Sequence, residues 1–555
     1  MINPISFEQA RAYLKSMPGF AGRSQIIARL RAAAGMQGPG FQEKAAEELL
    51  KETRPEEAVP EIYREYRPIV KDGIRFLFSR LSLERIFAIT ADQLLMKQEV
   101  PVTERLIALA KQIPTLHKLG QIIARNRNTD PEFRKWLIQL ENGMHGTDIA
   151  VITEGIRNEI WNYLVPCNVR IDERILSEAS VGTVVGFTWT APDTGKTSRG
   201  VFKVLRPGIR EYLTEEFRLL DQLARFFHRN RKNYPLRDFR FVETFADIRD
   251  ALREEINLSG EQTHLRQAQC FYQKNEAVRI PALLPFSTQN MTVMEFMEGD
   301  KITDIPMTAE ERKQCAEKLF ETVIWQPLFS RGENPLFHGD PHAGNIFGTR
   351  DAKGHIQPVL LDWSLTGTLS REHRMNMVRL HLAILLGNED LICEILELLS
   401  EENAGNEAAL RIKSIVRALL KDSAYAQCGF MEKAFWFIDQ TAIRGIVFPK
   451  DLLLFRKSFF TLDGVLHAID PDFRMDACIF RLLEKMFIEE LPGRCIGSIL
   501  PRLDRRENYR SLVSNRDLQL LLFEYVMEHM RKGAGVLSAF MGEFFLREWQ
   551  CFCRE

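Results

Sequence analysis

Apolar residues over the first 100 positions recur at helical spacing. The runs FQEKAAEELLKETR (41–54) and EIYREYRPIVKDGIRFLFSRL (61–81) carry them every three to four residues. Gly38-Pro39-Gly40 and Pro55 punctuate them as turns. The same period predicts helices through 101–165, with a break at Asn126–Pro131. No period of 20–50 residues repeats, which excludes a solenoid. The pattern then changes. ASVGTVVGFTWTA (179–191) and RGVFKVLRP (199–207) read as strands around the turn PDTGKTSRG. LTEEFRLLDQLARFFHRN (213–230) predicts an amphipathic helix, and FADIRDALREEINLSGEQTHLRQAQCF (245–271) a second. QNMTVMEFMEGD reads as a buried strand running into a glycine turn. Beyond 301 the chain is helical except for two short strands, GNIFG and PVLLDW, around DAKG.

Helices, a small mixed unit, then helices predict an α+β fold. Five segments follow: a helical extension (1–100), a further helical segment (101–170), a small mixed α/β lobe (171–300), a helical lobe (301–480) and a helical tail (481–555). Lys plus Arg number 74 against 75 Asp plus Glu, which argues against a globally basic nucleic-acid binder. Nine dispersed cysteines without a C-x-x-C pair read as reduced thiols, and hence a cytoplasmic location. Cys551 and Cys553, at the end, read as a frayed terminal pair. The N-terminus lacks a signal-peptide pattern; an organellar address stays open. No window reaches the ~18 uninterrupted apolar residues of a membrane span. The amphipathic tail LQLLLFEYVMEHMRKGAGVLSAFMGEFFLREW is expected to pack on the core, with a peripheral membrane contact as the alternative.

The most informative stretch is FHGDPHAGNIF, 337–347, followed by VLLDW, which holds Asp362. Phosphoryl transfer needs a carboxylate to orient or deprotonate the acceptor. It also needs an amide oxygen and a second carboxylate to hold Mg²⁺ against nucleotide phosphates. Asp340, Asn345 and Asp362 supply these in the order of a kinase catalytic loop and metal-binding aspartate. Two plainer readings compete: a well-formed Asp-Pro-Gly-Asn turn, and a His338/Asp340/His342 transition-metal cluster. The cluster leaves Asp362 unexplained. Lys203 sits in an apolar strand, where it suits the α- and β-phosphates of ATP and a helix glutamate; a snorkelling edge lysine is the alternative. Glu255 and Glu261 are both candidates for its partner. The loop SEASVGTVV (177–185) stands where a phosphate-covering loop belongs, but Gly182 is its one glycine.

Together these residues resemble the UbiB (AarF/ADCK-type) atypical kinases, over about Leu116 to Phe473. KLGQ at Lys118–Gln121 matches the family's K-x-G-Q motif, and DPEFRKWLIQLENG (130–143) its continuation. SEASVGTV resembles a worn Ala-rich loop, Glu255-Ile256-Asn257 its E-x-D, and LFRKSFFTLDGVLHAIDPDF (454–473) its C-terminal lobe.

The resemblance implies a protein-kinase-like, two-lobed fold with helical extensions, acting on Mg²⁺ and ATP. It implies that Lys203 and Glu261 form the ATP-aligning pair, with Asp340 catalytic and Asn345 and Asp362 as metal ligands. Nucleotide contacts would come from Ala179, Ser180, Gly182, Lys203, Glu295 and Met297, with Lys118 near Glu255 and Gln121 reaching the site. The family's inserted helix blocks a protein-substrate groove, which points to ATPase or small-molecule kinase activity linked to ubiquinone-like isoprenoid-lipid metabolism at membranes. Partners would be the nucleotide and an isoprenoid lipid or lipid-biosynthesis proteins, not nucleic acid.

Three departures stand out: Asn257 for the E-x-D aspartate, Glu178 in a phosphate-covering loop, and Ser364 for glycine after Asp362-Trp363. An aminoglycoside- or choline-type kinase and a nucleotide-binding pseudokinase are the competing readings.

Overall fold

In the computed structural model the described residues are 7, 9–11, 22–37, 40–125, 148–178, 181–234, 241–351, 353–401, 406–422, 425 and 427–532. They fall into two units. One holds the chain up to Gln262 with Leu283–Phe296, the other Thr263–Ala282 and everything from Met297.

The first unit opens with helices α1 (Arg23–Gln37), α2 (Phe41–Thr53), α3 (Arg67–Phe78), α4 (Leu83–Leu95), α5 (Val102–Gln112) and α6 (Pro114–Arg125). Their apolar stripes converge on a core holding Leu49, Phe78, Leu81, Ile86 and Ile113. After α7 (Ile149–Glu159) comes an antiparallel sheet in the order β1 (Arg170–Glu178), β2 (Gly182–Thr190), β3 (Thr197–Leu205), β4 (Met291–Glu295). Alternation decides its faces. Phe202 and Val204 of β3 point into a core with Val185, Phe187 and Val293, closed by Ile152 and Ile156 of α7. Phe187 stacks on Phe202 at 4.0 Å. Its ring lies over Gly200, where a Cβ would come within 2.5 Å of it, so glycine is required there. Lys203, between Phe202 and Val204, is turned to the opposite face.

Helix α8 (Ile209–Asn230) follows, then α9 (Phe241–Glu255) and α10 (Leu258–Tyr272). The single helix expected over 245–271 is therefore two. The interruption has a local cause. Asn257 Oδ1 accepts the Gly260 N–H at 3.0 Å, an N-cap that starts a new helix. A Cβ on Gly260 would collide with the Asn257 amide, so the glycine makes room for the cap.

The second unit contains β5 (Asp300–Lys301), α11 (Ala309–Phe320), β6 (Leu336–His338), β7 (Ile346–Arg350), β8 (Ile356–Leu360) and β9 (Thr366–Thr368). These form a three-stranded β5-β7-β8 sheet and a β6-β9 ladder. Helices α12 (Arg371–Leu386), α13 (Glu389–Leu399), α14 (Asn406–Leu419), α15 (Phe430–Ile443), α16 (Lys450–Ile469), α17 (Met475–Ile499) and α18 (Asn515–Lys532) complete it. A Thr308/Glu311 capping box starts α11. The fully buried Arg374 of α12 donates to the carbonyls of Leu328, Ser330, Gly332 and Glu333, fixing the loop before β6. Burial pulls its pKa down to about 10, so it stays charged at neutral pH. Among the described residues no helix is long and apolar enough to cross a membrane.

Candidate active site

The first unit holds two lysine–carboxylate pairs. Lys203 Nζ meets Glu261 Oε1 at 2.5 Å. The lysine comes from β3 and the glutamate from the first turn of α10, which Asn257 caps. The glutamate side chain is 2% exposed. Thr292 Oγ1 donates to its other oxygen at 3.3 Å, from the β4 residue registered opposite Lys203. Glu261 is thus held from both strands, as a buried carboxylate must be. Thr292 was not singled out from sequence, although a lone polar residue inside MTVME was the signal.

The second pair joins Lys118 of α6 to Glu255 at the end of α9. Leu119 packs against the cluster of Leu213, Leu220, Ile248 and Leu252 between α8 and α9, and Gly120 is buried. These contacts hold the KLGQ segment. Gln121 continues the helix, but its side chain lies outside the described residues, as do Ala179, Ser180 and the segment 130–143. Gly182 opens β2, paired to Leu205. Glu295 ends β4 opposite Gly200, and Met297 is buried where the chain returns to the second unit. Glu178 meets Arg206 Nε at 4.0 Å, so its carboxylate has a cation beside it.

The second unit gathers Asp340, Asn345 and Asp362. The β7–β8 ladder pairs Ile346 with Leu360, which puts Asn345 and Leu361 side by side at one end. Leu361 N–H donates to Asn345 O at 2.8 Å, so Asp362 emerges next to Asn345. Asn345 Nδ2 donates to Asp340 O at 3.0 Å, which turns its Oδ1 the other way. His338 ties the same pieces together. Its Nδ1 accepts the Asp340 N–H at 3.1 Å, and Nε2 donates to Leu361 O at 2.8 Å. The ring is fully buried beside Trp363, centroids 4.8 Å apart. Burial pushes its pKa below the ordinary histidine range, so it is neutral with the proton on Nε2. With both nitrogens engaged in the backbone, His338 is no metal ligand. Among the described residues no group of three His, Cys, Asp or Glu side chains could hold a metal. His342 turns Nδ1 to the Gly344 N–H at 3.0 Å.

Asp362 has φ +53°, a left-handed conformation that aspartate tolerates better than most residues. Its Oδ1 accepts the Ser364 N–H at 3.2 Å. Ser364 itself has no positive φ, so serine fits the place expected for glycine.

Residues 157–396 match the model of the ABC1 atypical kinase-like domain. This stretch is an ABC1 atypical kinase-like domain. The "Probable protein kinase UbiB" of Haemophilus ducreyi is 26% identical over 276 residues, covering 48% of this chain and 49% of that protein. Its namesake from Xanthomonas campestris pv. campestris is 22% identical over 412 residues, 72% of each chain. The chain spans about half the length of the curated relatives it matches first. The solved complex of Rv3197 with erythromycin, from Mycobacterium tuberculosis, is similar at TM-score 0.38 and 15% identity, over 66% of this chain and 91% of that one. Within the matched domain lie Lys203, Glu261, Asp340, Asn345 and Asp362, while Lys118 precedes it.

Proposed function

We propose that this chain is a Mg²⁺- and ATP-dependent phosphotransferase or ATPase of UbiB type, acting in ubiquinone-like isoprenoid-lipid metabolism. The observation that carries the reading is the knot around His338, which brings the Asp340 backbone, Asn345 and the Asp362 segment to one end of the β7–β8 ladder. The donor set suits Mg²⁺, since a carboxylate and an amide oxygen are hard ligands. Asn345 would offer Oδ1, the end not spent on Asp340 O, and Asp362 its carboxylate. Bound Mg²⁺ supplies charge neutralisation at the phosphates. Asp340 is the loop carboxylate that orients an acceptor hydroxyl or water and takes its proton. Lys203 contacts phosphate oxygens, its position set by Glu261 and, through Glu261, by Thr292.

The Lys118–Glu255 pair favours the UbiB-type reading over an aminoglycoside- or choline-type kinase, which lacks the K-x-G-Q helix. The lipid connection rests on the family resemblance. The test is calorimetric ATP binding with and without Mg²⁺, for wild type and Asp362→Asn, beside ADP release by wild type and Asp340→Ala. Mg²⁺-dependent binding lost in the first variant and turnover lost in the second are expected. A folded wild type that binds no nucleotide overturns the proposal. Stimulation of ADP release by a detergent-dispersed isoprenoid quinone tests the lipid part; no stimulation removes it.

A further inference from the structure

The loop that presents Asp340 carries no cation of its own, because residues 337–347 contain neither Lys nor Arg. One arrives from 117 positions further along the chain. Lys457, on α16, places Nζ at 3.5 Å from Asp340 Oδ1, an oxygen shielded from solvent. The helix that delivers it is fastened to the same loop on both sides of the lysine. Ser458 Oγ donates to His338 O at 2.7 Å and is fully buried. Phe455 packs edge-on against Phe337, centroids 5.2 Å apart. The Lys457 side chain is 43% exposed, but its backbone is registered to the loop by its neighbours. The charges around it make its role specific. Asp340 and Asp362 both act on the buried His338 ring, and Lys457 acts on it with the opposite sign. Two carboxylates and a neutral histidine share this space, and Lys457 is a cation within it.

We propose that Lys457 is a positioning residue for Asp340, holding its carboxylate in place from a helix outside the catalytic loop. This rests on the reading of Asp340 as the loop carboxylate. The role calls for a cation, not merely a long side chain, so arginine should replace lysine and methionine should not.

Two measurements on the full chain separate this inference from the proposed activity. The first is the crystal structure of Lys457→Met beside that of wild type, read at the Asp340 carboxylate. Without the cation the carboxylate is expected to turn to another rotamer. An unmoved carboxylate overturns the proposal, whether or not the protein turns over ATP. The second is ADP release. Lys457→Met is expected to lower kcat by about tenfold or more and leave KM for ATP within about threefold. Lys457→Arg should restore kcat to within about fivefold of wild type. Lys450→Met, at the exposed start of the same helix, should match wild type. An unchanged kcat in Lys457→Met, or a loss that arginine does not rescue, overturns the positioning role. A wild type that releases no ADP sinks the proposed activity instead, and the variant structure still decides the pair.

Discussion

Replacing His338 tests the knot that organises the second unit. The side chain is 0% exposed and makes two hydrogen bonds, one to Asp340 N–H and one to Leu361 O. His338→Ala leaves a buried donor and a buried acceptor unpaired, each costing about 1–3 kcal/mol. The lost contact with Trp363 adds about 0.5–1.5 kcal/mol. The sum is about 2.5–7.5 kcal/mol, a large fraction of a domain's ~5–15 kcal/mol. His338→Asn separates the two bonds. Its Oδ1 falls near the position of Nδ1 and keeps an acceptor for Asp340 N–H, so about 1–3 kcal/mol should be lost through Leu361 O alone.

The two variants also predict a pH dependence. The folded pKa of His338 lies below the ordinary ~6.5 of the unfolded chain, so the unfolded state binds the extra proton first. The stabilisation is complete above about pH 6.5 and shrinks as pH falls below it. A proton on Nδ1 would face the Asp340 N–H, donor against donor. His381, also buried, has its pKa lowered to about 4 and weakens wild type and variants alike over the same acidic range. The difference between wild type and His338→Asn therefore isolates His338. Urea unfolding at about pH 7.5 and about pH 5.5 gives that difference. It should narrow in acid, since the asparagine does not titrate. A loss under about 1 kcal/mol in His338→Ala, or a wild type–asparagine difference independent of pH, would refute the reasoning.

Arg374→Met removes the donors that serve four carbonyls before β6 and should cost about 3–5 kcal/mol by urea unfolding. Asn257→Ala should cost about 1 kcal/mol through the lost cap of α10, whereas Asn257→Asp, which restores the family's residue, should stay within about 0.5 kcal/mol; thermal melts distinguish them. Lys203→Met leaves the Glu261 carboxylate with Thr292 and should abolish nucleotide turnover and cost about 3 kcal/mol. Adding Glu261→Met should recover most of that stability and none of the turnover, and a double-mutant cycle read by melts and ADP release checks both.

Much of the site was legible because its residues are fixed by neighbours in sequence. The order His338, Asp340, Asn345, Asp362 could be read because a short hairpin, β7–β8, separates the last two. Lys203 stood out as a charge in an apolar strand. What escaped reading depends on contacts distant in the chain. Lys457 reaches Asp340 from a helix whose sequence around it, LFRKSFF, is that of any amphipathic helix. Thr292 acquires meaning only when β4 pairs with β3 and sets it opposite Lys203. β1 was missed for a different reason. RIDERILSE is half charged, lies at the sheet edge, and buries too little of either face to show a clean alternation. The helix break at Ile256–Asn257 was visible as Asn-x-x-Gly, but the apolar period runs straight across it and hides the cap.

The three departures from the family pattern share one explanation. Each was a concern because a side chain was judged by its charge or shape alone. Glu178 threatened phosphates, yet it stands beside Arg206, at the exit of the strand that carries Lys203. Asn257 lacks a carboxylate, yet its amide caps the helix whose first turn holds Glu261, a task asparagine performs as well as aspartate. Ser364 lacks the freedom of glycine, yet the left-handed residue is Asp362, two positions earlier. In each case the backbone requirement or the compensating charge sits at a neighbouring position. It follows that variation at these places shifts where a side chain is held without removing the groups that would do chemistry. Lys203, Glu261, Asp340, Asn345 and Asp362 are all present, and each has a contact that fixes it. For the proposed nucleotide chemistry, the buried Glu261 satisfied from two strands and the neutral histidine threaded between two backbone groups are what keep these side chains in place.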